Sequence, residues 1–79
     1  MTDKKVIVYT QPSCPPCQIV KEFLTHHNVN FTSYNVKEDK NALNEMVKNY
    51  NSMSTPTIVI GEEVVTGFNQ EQLEKLLNL

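Results

Sequence analysis

Residues 5–18, KVIVYTQPSCPPCQ, place two cysteines with only prolines between them directly after a continuous apolar, β-branched run. The run Lys5 to Thr10 suits a central strand covered on both faces. Beyond the second cysteine, Ile19, Val20, Phe23 and Leu24 recur at helical spacing, with Lys21, Glu22 and Thr25 off that stripe. The chain must therefore change from strand to helix within a few residues, and the prolines fix where. Pro15 suits the first helical position, where its missing N–H is no loss. It also biases Cys14 toward the extended dihedrals of an N-cap. Pro16 disfavours helical geometry at Pro15, a tension that stiffens the turn without breaking the helix. Cys14 is thus expected at the N-cap and Cys17 one turn inside.

The chain has no other cysteine, so the pair is a staple, half of a metal site, or two working thiols. A bridge from Cys14 to Cys17 closes so short a loop that chain entropy yields only about 2 kcal/mol before strain. A closed zinc site needs four ligands. His26 and His27 are the other candidates, and as neighbours they point to different sides of a helix, without the usual ligand spacing. No metal is expected; His27 should continue the Phe23 stripe, half-buried, and His26 should be solvated. Working thiols fit best. The two prolines remove two orphan donors from the helix start, so the N–H and thiol of Cys17 and the N–H of Gln18 are expected to face the Cys14 sulfur. The positive end of the helix dipole favours a thiolate there. Cys14 would attack a disulfide, and the more enclosed Cys17 would displace the product. Lys21, about one turn past Cys17, should point outward. The chemistry expected is that of a dithiol–disulfide oxidoreductase.

The remaining pattern completes a small α/β layout. Asn30 to Val36 reads as a second strand, with Tyr34 and Val36 on one face and Phe31 near its start. Asp39 is a plausible N-cap for a helix with the stripe Leu43, Met46, Val47 and Tyr50. TIVI and EVVT flank Gly61 and Glu62 as a hairpin, with Glu62 and Glu63 at a solvated tip. Asn69 with Gln72 resembles a capping box before a helix that buries Leu73, Leu76 and Leu77. Tyr9 and Tyr50 fall on apolar patterns and read as core or rim. The order β-α-β-α-β-β-α predicts a parallel pair through a right-handed crossover, then an antiparallel hairpin. That makes a four-stranded mixed sheet flanked by three helices, one domain over residues 1–79. In MSTPT, Pro56 either merely starts a strand or follows a cis bond, and the residues alone leave both open.

Seven lysines, no arginine and a formal charge of −2 argue against nucleic-acid binding. The opening MTDKKVIVYT is not a charged-then-apolar leader, and no apolar run approaches membrane length. A cytoplasmic, reducing location is expected, where lasting structural disulfides are rare.

On VIVYTQPSCPPC, STPTIVI and VTGFNQEQLEKLL, the chain resembles a glutaredoxin of the thioredoxin-like superfamily over essentially its whole length. The resemblance implies the thioredoxin-like fold, with the first strand central and the second beside it. It implies that Pro56 is a cis-proline packed against the active-site disulfide, and that Thr55 offers its backbone to an extended substrate. There are departures. Gln11 stands where glutathione-using members commonly have lysine, and Pro16 where they often have tyrosine. The late turn has Gly67, Phe68 and Asn69 where they carry Gly-Gly-x-Asp or Ser. The Gly67–Phe68 pair is similar to that of the glutaredoxin-like NrdH-redoxins, electron donors of ribonucleotide reductase that thioredoxin reductase recharges. Substrate or glutathione contacts are accordingly expected at Gln11, Pro16, Thr55, Pro56, Gly67, Phe68 and Asn69, with Gln11 and Asn69 able to hydrogen-bond the tripeptide. Phe68 would either face a partner near the thiols or pack under the last helix. The implied partners are disulfide-containing proteins such as ribonucleotide reductase. The implied electron source is thioredoxin reductase, or glutathione with glutathione reductase. The chain is expected to be a monomer with no tightly bound cofactor. A reading from another class makes it an iron–sulfur carrier, Cys14 from two chains holding a cluster with two external thiols. In the family, proline directly after the first cysteine goes against that.

Overall fold

Four strands and three helices follow one another in a computed structural model that describes residues 5–79. They are β1 (Val6–Thr10), α1 (Pro15–His26), β2 (Thr32–Asn35), α2 (Lys40–Tyr50), β3 (Thr57–Ile60), β4 (Glu63–Thr66) and α3 (Gln70–Leu77). The sheet order is β2-β1-β3-β4, with β2 parallel to β1 and both other pairings antiparallel. Register sets Tyr9 beside Tyr34, Val8 beside Ile58 and Ile58 beside Val65. The hairpin turns through Gly61 at φ +63°, the sign that tight hairpin loops require.

Because side chains alternate along a strand, the central strands feed two separate cores. On one face Val6, Val8, Ile58, Ile60 and Val65 pack with Val20 and Leu24 of α1 and Leu73 and Leu77 of α3. On the other, Tyr9 and Val59 pack with Val36 and with Ala42 and Met46 of α2. The side chain of Asp39 accepts from the Ala42 N–H at 3.1 Å and caps α2. Asn69 does the same for α3, accepting from the Gln72 N–H at 3.1 Å. Asn51 and Asn78 end those helices in the left-handed conformation that asparagine tolerates.

Two stripe residues lie elsewhere than expected. Ile19 is 47 % exposed, and α1 buries Cys17, Val20 and Leu24. Residues 17, 20 and 24 are three and four apart, so the cysteine itself is the first member of the buried face and Ile19 falls to its side. Leu43 is 38 % exposed, and Ala42 is buried in its place. Ala42 shares the second core with Tyr9, Val36, Met46 and Val59, which an alanine among larger residues did not signal. Among the described residues, no helix is long and apolar enough to cross a membrane.

Candidate active site

Ser13, at φ +59°, makes the sharp turn that delivers the chain from β1 into α1. Cys14 follows as N-cap in extended geometry (φ −118°, ψ 95°), with the prolines at the first two helical positions. Its sulfur is bonded to that of Cys17, and the two Cα atoms lie 5.2 Å apart. The two cysteines are not equivalent. Cys14 is partly exposed, whereas Cys17 is 1 % exposed and belongs to the buried face of α1. Pro15 and Pro16 are exposed.

The donors at this helix start are used differently from the expectation. The Cys17 and Gln18 N–H groups both donate to the Cys14 carbonyl, at 3.1 and 3.2 Å, and so are not free to face the sulfur. An N-cap carbonyl accepts the first intrahelical bonds, and two prolines leave those two N–H groups as its nearest donors. The side chain that reaches the sulfur is Thr55: its hydroxyl donates to Cys14 Sγ at 3.7 Å. Gln11 Nε2 in turn donates to Thr55 Oγ1 at 2.9 Å. The sequence singled out both residues, yet assigned them to substrate, and Thr55 through its backbone alone. Nothing local signals a contact between residues 14 and 55. It exists because β1 and β3 are sheet neighbours and both loops emerge at the same end.

The Thr55–Pro56 peptide bond is cis, and Pro56 is fully buried. The loop before it is held by hydroxyls. Ser52 Oγ and Thr57 Oγ1 lie 2.6 Å apart, and Thr57 Oγ1 donates to the Ser54 carbonyl at 2.6 Å. Behind the proline, Gly67 N–H donates to the Pro56 carbonyl at 2.8 Å, with Gly67 at φ +73°, a conformation glycine adopts without steric cost. The other expected contact residues divide. Phe68 packs against the core and edge-on to Phe23, ring centroids 5.7 Å apart, so its ring serves the seam between α1 and the last turn. Asn69 is exposed, but its side-chain oxygen is committed to capping α3. His27 lies half-buried against Phe23 with centroids 4.6 Å apart, and His26 is exposed. Among the described residues, no group of three histidine, cysteine or acidic side chains is placed to hold a metal ion.

A partly exposed cysteine bonded to an enclosed one at a helix start can carry out thiol–disulfide exchange. The glutaredoxin family model matches residues 6–65. The chain belongs to the glutaredoxin family. It is 33 % identical over 70 residues to a glutaredoxin-like 8.6 kDa protein of the rubredoxin operon of Clostridium pasteurianum, covering 89 % of this chain and 93 % of that one. It is 27 % identical over 71 residues to the glutaredoxin-like protein NrdH of Lactococcus lactis subsp. cremoris, covering 90 % and 97 %. Among solved structures it is similar to the thioredoxin-like protein BC3987, with 56 % identity, a TM-score of 0.90, and coverage of 92 % of this chain and all of that one. Glutaredoxin-like proteins are generally thiol–disulfide oxidoreductases, and the four-stranded sheet with three helices is their fold.

Proposed function

We propose that this glutaredoxin-like chain is a monomeric protein-disulfide reductase of a reducing, cytoplasmic compartment. The observation that carries the reading is the unequal exposure of the two sulfurs at one helix start. The Cys14 thiolate attacks one sulfur of a substrate disulfide; a mixed disulfide forms and the other substrate sulfur leaves as a thiol after taking a proton. Cys17, deprotonated, then attacks Cys14 Sγ, and the second substrate sulfur leaves. Two electrons have passed to the substrate, and the Cys14–Cys17 disulfide remains. A reductase or a small thiol returns the two electrons.

Two features support a protein reductase of the thioredoxin reductase type over glutathione as the source. Gln11 supplies no positive charge for a tripeptide carboxylate. Asn69 has its side-chain oxygen in a helix cap. The similarity to a protein named NrdH supports a disulfide of ribonucleotide reductase as one substrate. Reduced wild-type protein, recharged by thioredoxin reductase and NADPH, should cleave the insulin disulfides. Cys14→Ser should abolish this turnover, and Cys17→Ser should accumulate a mixed disulfide with the target. Full activity of Cys14→Ser would overturn the mechanism, and NADPH consumption only with glutathione and glutathione reductase would overturn the assigned electron source.

A further inference from the structure

The Thr55 hydroxyl has one hydrogen to give and two lone pairs to accept with. Gln11 Nε2 donates into one lone pair at 2.9 Å, so the hydroxyl hydrogen cannot also point at Gln11. The acceptor on its other side is Cys14 Sγ at 3.7 Å. In the disulfide that sulfur is a weak acceptor; after reduction the same position holds an anion, and a hydrogen bond to an anion is roughly twice as strong as a neutral one. No charged side chain competes within the segments that meet here. QPSCPPCQ (residues 11–18), SMSTPT (residues 52–57) and GFN (residues 67–69) contain no ionisable group besides the two cysteines, and Lys21 comes one turn later on α1. With the Cys17 and Gln18 amides committed to the Cys14 carbonyl, the threonine hydroxyl, the Cys17 thiol formed on reduction and the helix dipole are the polar elements directed at the sulfur.

We propose that Gln11 is a positioning residue for the exchange reaction: by donating to Thr55 Oγ1 it aims the threonine hydroxyl at Cys14 Sγ, where it stabilises the thiolate. Gln11 touches no reacting atom; Thr55 does. The arrangement acts twice in the cycle. It favours the attacking form of Cys14, and on recharging it makes Cys14 the better leaving group when the reductant's second thiol attacks the reductant's own sulfur in its mixed disulfide with Cys14. This role rests on the proposed oxidoreductase reading and adds to it a chain of two neutral groups that ends on the reacting sulfur.

The test is the pH dependence of Cys14 alkylation by iodoacetamide in the fully reduced protein, followed on the Cys14 peptide by mass spectrometry. Thr55→Val should raise the midpoint by about one unit, and Gln11→Ala by about half a unit, a loss of about threefold in reactive thiolate below the midpoint. Gln11→Glu, which accepts the hydroxyl hydrogen and adds negative charge, should raise it further than Gln11→Ala. In the Thr55→Val background Gln11→Ala should have no effect, because the group it orients is gone. Thr55→Ser, which keeps the hydroxyl, should restore sensitivity to Gln11 and serves if Thr55→Val does not fold. An unchanged midpoint in Gln11→Ala, or the same shift with and without the hydroxyl, would overturn the proposal. Alkylation needs no substrate or reductase, so these results are independent of turnover; retained turnover in Cys14→Ser would instead overturn the oxidoreductase reading.

Discussion

Cys14 and Cys17 are chemically identical and three residues apart, and the fold makes them different. Cys17 fills the first position of the apolar face of α1, packed in the same stripe as Val20 and Leu24. Cys14 precedes the helix, is partly exposed, and accepts from the Thr55 hydroxyl. In the proposed exchange the attacking sulfur needs access and the resolving sulfur shelter, and one turn of helix supplies both. Tyr9 shows burial acting on another titratable group. Its side chain is fully buried in the second core, stacked on Tyr34 at 5.8 Å and tilted against Tyr50 at 6.0 Å. Its hydroxyl donates to Glu45 Oε2 at 3.3 Å. Burial first, then the neighbouring Tyr50 and Glu45, hold its phenol well above the usual value of 10.0. A raised folded value means that the folded state keeps a proton the unfolded chain would release. The resulting contribution to stability is complete below pH 10 and is lost as pH rises from there toward the folded value. Phenolate absorbance followed upward from pH 9 should show Tyr9 titrating last, in step with unfolding; Tyr9→Phe should remove that final step.

Among the helices, α2 and α3 announce their starts and α1 does not. Asp39 and Asn69 each accept an N–H three residues on, and both were legible because side-chain caps follow a local rule. Asp39→Ala should cost about 1 kcal/mol in urea denaturation with an unchanged m-value. A larger loss with a changed m-value would show that Asp39 holds more than the helix end. At α1 the cap residue is a cysteine with no side-chain cap bond. Prolines fix that end instead, leaving the sulfur to its chemistry. The helix faces were legible less evenly. Periodicity identifies a stripe, but a one-residue rotation separates Leu43 from Ala42 and Ile19 from Val20. Only the surface against which a helix packs selects between them.

Across the whole molecule, the sheet divides the apolar residues into two cores and brings the functional loops together at one end. Leu24 is fully buried between α1 and the sheet in the first core. Leu24→Ala should cost about 2–5 kcal/mol, a large part of the roughly 4–12 kcal/mol expected for a chain of 79 residues. Chemical denaturation should show that loss; a cost near zero would mean that the first core collapses freely around the gap. The site itself depends on order in the sheet. Because β1 and β3 are neighbours, the loop that follows one and the loop that precedes the other lie side by side, and residues 11 and 14 meet residue 55.

Alternation, helical spacing, two prolines and two capping side chains determined the element order, the parallel first pair, the closing hairpin and the place of both cysteines at the head of α1. These are local or nearest-neighbour properties of the chain, and each has a physical rule that reads directly from residue type. The tertiary structure alone decided which hydrogen-bond donor reaches the outer sulfur, which of two adjacent apolar residues is buried, and that Phe68 packs against Phe23. Those outcomes depend on contacts between segments some forty residues apart. The spacing of residues along one segment carries no record of where another will come to rest.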